Sequence, residues 1–459
     1  MRVLTSKVQI YISQFKTIIT PLSLITEAMY QKETEFLPII EIHKRQTRKL
    51  KHLLDYVKQK SPFYRSLFYQ NSTNVSSIST LKHLQELPTT SKEDLQHCNR
   101  DFLCVPPSEI LEYTSTSGTI GTPVTIALTT EDIQRLAYNE YLSFTCAKST
   151  PEDIFQLVLT LDKQFMAGIA YYLGISMLGA GVVRTGPGAP SMQWETIFRL
   201  NTTSLVIVPS FIIKLIDYAL EHGIDLNASP VKKAICIGEN IRNEYFQPNS
   251  ISKKIFENWN IELYSTYAST EMQTSFTECP ARQGGHLHPE LLIAEVLDDQ
   301  GGWVPPGESG ELTITTLGIK GMPLVRYRTG DICRLHEEPC TCGRNTPRIS
   351  PILGRKNQMI KYKGTTLYPP VILDILNARH DVKDYLVEIY SNEFETDEIL
   401  IHIAIDDPSE KTFMSIRSYL HASLRVQPAI KVTPIEEIIE KQIVGNGRKI
   451  SKIYDRRKR

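Results

Sequence analysis

The stretch YTSTSGTIGTP at residues 113–123 combines four threonines, two serines and two glycines. Hydroxyl groups and successive backbone N–H groups in such a loop can surround phosphate oxygens. The stretch lacks the G-x-x-x-x-G-K-[ST] pattern of a Walker loop. From these residues alone, two interpretations stay open: a phosphate-binding loop and a solvated turn.

A second group of reactive side chains is Cys279-x6-His286 followed by Cys340-x-Cys342. Three thiols and one imidazole in two clusters suit a tetrahedral structural Zn²⁺ site. The spacing is not that of a zinc finger, so reduced surface cysteines are the alternative. His288 and His336 are further candidate ligands.

Composition narrows the class of protein. The chain has 459 residues, with 41% hydrophobic and 22% charged, as expected for a globular protein of two or three domains. Lys plus Arg balance Asp plus Glu at 51 each, so no global field favours nucleic acid. Eight cysteines in a chain of this length do not indicate a disulfide framework.

The first 35 residues predict an amphipathic helical extension on a cytoplasmic protein. Lys7, Lys16 and Pro21 interrupt the apolar residues, so we expect no transmembrane segment and no signal peptide. A partner-docking or membrane-surface helix is a lesser alternative.

The elements that must position these residues follow from hydrophobic patterning. A helical pattern in 36–70 stops near Ser61, and either Thr90 or Ser91 is the N-cap of a helix that begins KEDL. Residues 129–147 predict a further capped helix. Between 150 and 270, short apolar runs alternate with helices, which predicts an α/β domain with a buried sheet. Paired alternating strands at 290–335 predict a β-rich subdomain. After 354, helix, strand, strand, helix, strand predicts a compact α+β domain.

Six stretches then appear together in one order: TSTSGTIGTP (114–123), IGEN (237–240), YASTE (267–271), YRTGD (327–331), GRKNQMIKYKG (354–364) and GNGRKISKIYDRR (445–457). This set resembles the adenylate-forming superfamily of acyl-CoA synthetases, adenylation domains and luciferases. LPTTSKEDLQ (87–96) and PCTCGRNTPRI (339–349) are most similar to its phenylacetate–CoA ligase branch. The resemblance implies an extension at 1–35, an adenylation core at 36–356 and a small mobile α+β domain at 357–459.

The resemblance also implies roles for individual residues. In the family a carboxylate attacks the α-phosphate of ATP, and a thiol then displaces AMP. Glu271 would hold Mg²⁺, Thr270 would contact the α-phosphate and Asp331 would accept the ribose hydroxyls. The remaining nucleotide contacts implied are Thr116, Ser117, Gly118, Thr119, Gly121, Gly238, Glu239, Tyr267 and Arg355.

The C-terminal motif departs from the family pattern. Gly447 is followed by Arg448 and then Lys449, where family members usually have Gly-Lys. The register of Lys452 and Asp455 downstream places Lys449 at the catalytic position, with Arg448 as the alternative. A solvated basic tail is the non-catalytic interpretation.

The hinge departs as well. Asn357 and Gln358 stand where the family usually has two acidic residues, and we assign Asn357 as the hinge. The acid pocket implied by the resemblance is lined by Phe165, Gly168, Tyr172, Ser210 and Ala268. Some relatives share a C…G-x-H…C-x-C-G arrangement, which favours His286 in the zinc set.

We therefore expect an ATP-dependent ligase for an aryl or arylacetic acid that uses Mg²⁺, with CoA as the acceptor and a structural Zn²⁺. The alternative acceptors are a carrier protein's phosphopantetheine or an amine. An alternative of another class is a non-catalytic nucleotide-binding scaffold. No nucleic acid partner is expected, and a homodimer stays open.

Overall fold

A computed structural model describes residues 33–116, 123–393, 396–444, 449–450 and 452–457. The chain divides into two compact units. The first unit is Met1–Glu239, Asn260–Thr329 and Arg334–Ile349, and the second is Asn240–Trp259, Gly330–Cys333 and Ser350–Arg459. A helix long and apolar enough to span a bilayer is absent from the described part of the chain.

The α-helices are numbered in chain order. They are α1 (Ile39–Lys60), α2 (Pro62–Gln70), α3 (Lys92–His97), α4 (Thr130–Cys146), α5 (Met166–Leu178), α6 (Pro190–Leu200), α7 (Pro209–Glu221), α8 (Ser250–Asn258), α9 (Pro369–Asn377), α10 (Glu410–Leu424) and α11 (Ile435–Gln442).

The strands are numbered in the same way. They are β1 (Ile110–Ser115), β2 (Thr125–Thr129), β3 (Ile154–Leu157), β4 (Gly181–Arg184), β5 (Ser204–Ile207), β6 (Lys233–Cys236), β7 (Glu262–Ser269), β8 (Thr274–Glu278), β9 (Gly285–His286), β10 (Leu292–Leu297), β11 (Ser309–Thr316), β12 (Tyr327–His336), β13 (Arg348–Ile349), β14 (Gly354–Arg355), β15 (Ile360–Tyr362), β16 (Thr365–Leu367), β17 (Val382–Ser391), β18 (Asp397–Ile405), β19 (Ala429–Val432), β20 (Ile443–Val444), β21 (Lys449–Ile450) and β22 (Ile453–Asp455).

The centre of the first unit is a parallel sheet in the order β4-β3-β5-β6-β7. Every residue of β5 and β6 is buried, as the continuous apolar runs predict for strands covered on both faces. Helices α4 and α5 pack through Phe144 and Tyr171 onto a core that includes Phe155 and Val206. The predicted α/β core is confirmed.

The sheet continues from β7 as antiparallel strands. β7 pairs with β8, β8 with β9, and β10 with β11 over six residue pairs. The pairing of β10 with β11 confirms the paired strands predicted at 290–335, whereas β7 to β9 lie outside that range. Most residues of β10 and β11 are buried, so their burial does not follow the alternation of the sequence. The β-rich extension is therefore present as predicted.

The second unit is an α+β fold. Strands form the order β19-β18-β17-β22, with β17 and β18 antiparallel and both outer pairs parallel. Its core combines Ile389, Ile401 and Leu420 from two strands and α10. The small α+β class predicted for this part of the chain is confirmed. The boundary at 356/357 stays a prediction.

Capping residues fix where the helices begin. The Ser91 hydroxyl accepts from the Asp94 N–H, and Thr129 and Asp132 form the same reciprocal capping box at α4. α1 ends at Lys60, where Ser61 becomes the N-cap of α2. These boundaries match the sequence signals.

Candidate functional site

The Ser/Thr-rich loop joins two antiparallel strands. β1 pairs with β2 from Ile110 to Ser115. At the base of the loop, the Thr116 N–H donates to the Val124 carbonyl, and the Thr116 hydroxyl accepts from the Val124 N–H, each at 3.0 Å. Thr116 therefore closes the loop. The predicted phosphate contacts Ser117, Gly118, Thr119 and Gly121 lie outside the described residues.

The predicted magnesium and α-phosphate residues lie in a hairpin turn. β7 carries Tyr267 and Ala268 and ends at Ser269, and β8 begins at Thr274. Thr270 and Glu271 are partly exposed between these strands. The Met272 N–H donates to the Ser269 hydroxyl at 3.3 Å, which fixes the start of the turn. A partly exposed carboxylate on a fixed turn is suited to holding a hard cation.

A buried arginine holds the end of this turn. Gln273 has a left-handed backbone with φ of 49°. Its carbonyl accepts from Nη1 of Arg135 at 2.7 Å. Arg135 also donates to the carbonyls of Leu317 at 2.7 Å and Leu291 at 2.6 Å. The fully buried guanidinium thus ties the Glu271 turn to two other segments, which the sequence analysis did not foresee.

Two residues predicted from different motifs meet at the start of α7. The Glu239 carboxylate accepts from the Ser210 N–H and from the Ser210 hydroxyl, both at 2.8 Å. An acidic group at a helix N-terminus is stabilised by the unpaired N–H groups there. Gly238 precedes it with φ of +74°, a conformation that favours glycine. The structure therefore links a predicted nucleotide residue to a predicted pocket residue.

The other predicted pocket residues lie at the start of α5 and the end of β7. Phe165 is exposed just before α5, and Gly168 approaches the loop after β3 so closely that a Cβ would lie 2.4 Å from the Thr160 carbonyl oxygen. Tyr172 is half-buried, with the Arg184 guanidinium 5.6 Å from its ring centroid. Tyr171 instead packs in the core, as ordinary helix packing predicts for one of the two tyrosines.

The second unit brings together two more predicted nucleotide residues. Asp331 on β12 and Arg355 on β14 are cross-strand partners. Arg355 Nε lies 3.2 Å from Asp331 Oδ1, and Asp331 is buried while Arg355 is exposed. Asn357 lies in a short 3₁₀ turn directly after this pair. A carboxylate oriented by a neighbouring guanidinium can also accept hydrogen bonds from a ligand.

Lys449 is placed by its backbone. It pairs with Val444 in the β20–β21 hairpin. Its side chain and all of Arg448 lie outside what the structure describes, so the register choice between them stays a prediction. Lys452 Nζ lies 3.2 Å from Asp384 Oδ1 and above the Tyr385 ring.

Cys279, His286, Cys340 and Cys342 form one cluster, with their ligand atoms all within 4.8 Å of one another. The Cys279 and Cys340 sulfurs are 3.6 Å apart, and Cys342 Sγ is 3.5 Å from His286 Nε2. His286 Nδ1 is hydrogen-bonded to Thr346 at 2.9 Å, which orients the ring as in a ligating histidine. Three thiols and an oriented imidazole fit tetrahedral zinc.

The protonation of these thiols depends on their neighbours. Burial raises the pKa of Cys279 to about 12. Burial would also raise the pKa of Cys342, but hydrogen bonds with His286 and the Arg344 backbone lower it to about 5. The cluster therefore holds one thiolate-prone sulfur, Cys342, beside Cys279, whose thiol stays protonated unless a cation is bound.

His288, the alternative zinc ligand, uses both ring nitrogens in contacts outside the cysteine cluster. Its Nδ1 contacts Glu35 at 2.5 Å and its Nε2 contacts the Ser143 hydroxyl at 3.1 Å. Glu35 also accepts from Nε of Arg344 at 2.6 Å. This buried clamp, Glu35 with His288 and Arg344, fastens residues 33–37 beside the cysteine cluster. No sequence signal pointed to Glu35, whereas Arg344 follows the C-x-C-G element directly.

Comparison with known proteins identifies relatives of this chain. The family model described as AMP-binding enzyme matches residues 13–320. The phenylacetate-coenzyme A ligase of Thermus thermophilus is 29% identical over 385 residues, covering 83% of this chain and 85% of that protein. The Escherichia coli phenylacetate-coenzyme A ligase is 26% identical over 365 residues, covering 77% and 80%.

Solved structures share the fold. A 2-hydroxyisobutyryl-CoA ligase in the postadenylation state with 2-HIB-AMP superimposes with a TM-score of 0.81 at 22% identity, covering 92% of this chain and 91% of that one. The family match covers well over half of the sequence, in the region that carries the Thr116, Glu239 and Glu271 segments. The chain belongs to the AMP-binding enzyme family.

Proposed function

We propose that this protein is an ATP-dependent ligase that activates a carboxylic acid as its acyl-adenylate and transfers the acyl group to CoA. The observation that carries the proposal is the similarity to a phenylacetate-coenzyme A ligase over 83% of the chain. By the same similarity, the acid is an aryl or arylacetic acid.

The reaction has two balanced steps. A carboxylate oxygen of the acid attacks the α-phosphorus of ATP, and pyrophosphate leaves. The CoA thiol then releases its proton to solvent and attacks the acyl carbonyl carbon, and AMP leaves with the oxygen it gained from the acid. Both steps build charge on phosphate oxygens, so catalysis requires hydrogen-bond donors and cations placed around them.

Residues of the first unit serve the phosphates in this proposal. Thr270 contacts the α-phosphate, and Glu271 holds Mg²⁺ on the turn fixed by Ser269 and Arg135. Bound Mg²⁺ supplies positive charge that offsets the charge of the phosphate groups. The loop closed by Thr116 donates hydrogen bonds to the pyrophosphate oxygens.

Residues of the second unit serve the ribose and the transferring oxygen. Asp331 accepts both ribose hydroxyls, and Arg355 orients the carboxylate from 3.2 Å. Lys449 donates to the oxygen that passes between the carboxylate and the α-phosphate. A flexible ammonium group suits charge that develops only in the transition state.

We propose in addition that Cys279, His286, Cys340 and Cys342 hold a structural Zn²⁺. All four positions of a tetrahedral ion are then filled by protein, which leaves none for catalysis. All eight cysteines lie in the described part of the chain and none of them forms a disulfide there, which fits the reducing cytoplasm, where we place the protein.

Acid-dependent pyrophosphate release tests the function. A panel of aryl, arylacetic and aliphatic acids is assayed with ATP and Mg²⁺, with and without CoA. The proposal predicts release for a subset of acids and continuous AMP formation only when CoA is present. Release without CoA-dependent turnover would favour a carrier protein or an amine as acceptor, as the unusual Asn357–Gln358 hinge allows. No release with any acid would contradict the proposed enzyme and favour a nucleotide-binding scaffold.

A further inference from the structure

The Glu35 carboxylate bridges two chain segments that carry assigned zinc ligands. Its Oε1 lies 2.5 Å from Nδ1 of His288, and its Oε2 accepts from Nε of Arg344 at 2.6 Å. His288 follows the ligand His286 by two residues, and Arg344 follows the ligand Cys342 by two residues. One buried carboxylate therefore ties the His286 segment to the Cys342 segment.

Arg344 extends from this carboxylate to the cysteine cluster itself. Its Nη1 donates to Cys342 Sγ at 3.7 Å. The loop that carries both residues is closed by two backbone hydrogen bonds: the Gly343 N–H donates to the Cys340 carbonyl at 3.0 Å, and the Cys340 N–H donates to the Arg344 carbonyl at 3.2 Å. This short loop therefore holds the guanidinium beside the sulfur.

A metal-bound cluster needs a cationic neighbour of this kind. Three thiolates outweigh the charge of Zn²⁺ by one negative unit, and a buried charge is costly unless it is paired and hydrogen-bonded. Cys279 and His286 are fully buried, so water cannot reach that side of the cluster. A hydrogen bond from a charged donor is roughly twice as strong as a neutral one. Arg344 is therefore placed to stabilise the negative charge on metal-bound Cys342.

The residues around Glu35 hold it in this position. The Asn345 N–H donates to the Glu35 carbonyl at 2.9 Å, and the Asn345 side-chain amide donates to the carbonyls of Phe36 and Leu37 at 3.2 and 3.1 Å. The centroid of the Phe36 ring lies 4.9 Å from the guanidinium carbon of Arg344. The segment therefore packs against Arg344 through both a carboxylate and an aromatic ring.

We propose that Arg344 supports the zinc site from outside the coordination sphere and that Glu35 is the positioning residue that orients Arg344. The inference rests on the structural zinc site proposed above and extends it to a segment that carries no ligand. Partners of this kind typically contribute about 10- to 100-fold in metal affinity. By thermodynamic linkage, zinc binding then stabilises the docked segment 33–37 as much as the docked segment stabilises zinc binding.

Zinc affinity of the full chain, measured by competition with a chelator, tests the inference. Arg344→Gln removes the cation and should weaken Zn²⁺ binding about 10- to 100-fold, and Arg344→Lys, which keeps the charge, should lose less. Glu35→Gln should weaken binding about 10-fold, because the amide no longer holds the guanidinium. Removal of a negative charge beside a negative site would by itself tighten binding, so the sign of this change identifies positioning.

Glu295→Gln is the matched control for Glu35→Gln. Glu295 is a similarly buried carboxylate that accepts from Nε of Arg326 at 3.2 Å and from the Trp303 indole at 2.7 Å. Its replacement should leave zinc affinity unchanged. In the Arg344→Gln background, Glu35→Gln should have little further effect, because the residue that it orients is absent. Fully additive losses would exclude a positioning role for Glu35.

Hydrogen exchange in the wild type gives a second test, which holds even if Arg344→Gln does not fold. Chelation of zinc should speed exchange of the Asn345 amide, whose partner is the Glu35 carbonyl. The amide of Val158, which donates to the Val206 carbonyl at 3.0 Å in the parallel sheet, should be unaffected. Equal protection of Asn345 with and without zinc would contradict the linkage.

The inference, the zinc site and the ligase assignment fail differently. Wild-type zinc affinity in both Glu35→Gln and Arg344→Gln would overturn the inference and leave the zinc site standing. A wild-type chain that binds no Zn²⁺ would overturn the inference and the zinc site together. Neither result bears on acid-dependent pyrophosphate release, which decides the ligase assignment.

Discussion

Arg355 Nε lies 3.2 Å from Asp331 Oδ1, and the two residues are cross-strand partners on β14 and β12. Asp331 ends the YRTGD stretch and Arg355 lies at the start of the GRKNQ stretch, so the structure joins two motifs that were recognised separately. Asp331 is buried while Arg355 is exposed, so the pair presents a pre-oriented carboxylate with solvent-accessible charge beside it.

Removing the Asp331 carboxylate should weaken ATP binding. Asp331→Asn keeps the shape but loses the charge that strengthens hydrogen bonds from the ribose hydroxyls. Such bonds contribute about 1.5–3 kcal/mol, so the KM for ATP should rise about 10- to 100-fold with a smaller change in kcat. Asp217→Asn, on the exposed face of α7, is the control and should leave the KM unchanged. An unaltered KM for ATP in Asp331→Asn would remove this residue from the nucleotide site.

Replacing Lys449 should affect chemistry rather than binding. Lys449→Ala removes a cation from the transferring oxygen, and loss of one such donor costs about 10²- to 10³-fold in rate. Single-turnover adenylate formation should fall by that factor, while the dissociation constant of ATP stays within about twofold. Arg448→Ala is the matched neighbour and should stay active. A large loss in Arg448→Ala with an active Lys449→Ala would reverse the register chosen here.

The cysteine cluster predicts bound zinc. Freshly purified protein should contain about one zinc per chain, because three thiols and one imidazole complete a tetrahedral site. Cys342→Ser should lose the metal and lower the Tm, whereas Cys98→Ser, at a cysteine outside the cluster, should do neither. Protein purified without chelator that contains no zinc would contradict the site.

Glu140 predicts a pH dependence of stability. Burial raises its pKa from 4.5 to about 8, against smaller opposing effects of hydrogen bonds from Asn139 and Ser275. The folded state therefore holds a proton that the unfolded state releases between pH 4.5 and 8. Across that window the stability contributed by this group falls with rising pH, at a limiting slope of about 1.4 kcal/mol per pH unit.

Glu140→Gln removes this titration and should raise the Tm relative to wild type more at pH 8 than at pH 5. Tyr171 of α5, a titratable neighbour of this carboxyl, keeps its proton because burial raises its pKa well above the usual value. Glu257 is exposed, so Glu257→Gln is the control. Its Tm should differ from that of wild type by the same small amount at both pH values. Equal gains at pH 5 and pH 8 in Glu140→Gln would contradict a raised carboxyl pKa.

Local signals predicted much of the fold. Continuous apolar runs identified β5 and β6 because strands covered on both faces need no polar side. Capping chemistry marked the start of α3 at Thr90 or Ser91, and the structure selects Ser91. The clamp of Glu35 with His288 and Arg344 could not be predicted, since its partners lie 253 and 309 residues away. The sequence also left His286 and His288 as rival ligands, and only their hydrogen-bond partners distinguish them.

Gln273, at the end of the turn that carries Glu271, also has features that the sequence could not predict. Glu271 was the evident functional residue because it ends the YASTE motif. No local signal indicated that Gln273, two residues later, has a buried amide and a left-handed backbone. That conformation depends on Arg135, which contacts the turn from another element at 2.7 Å. Contacts that join distant segments decide such features, and a single sequence does not display them.

Isotope transfer tests the central claim most directly. The acid that releases most pyrophosphate is labelled with ¹⁸O in its carboxyl group and incubated with ATP, Mg²⁺ and CoA. Attack of the carboxylate on the α-phosphorus followed by thiolysis predicts AMP carrying one ¹⁸O atom for each thioester formed. Unlabelled AMP, or label recovered in inorganic phosphate with ADP as the nucleotide product, would contradict an acyl-adenylate intermediate.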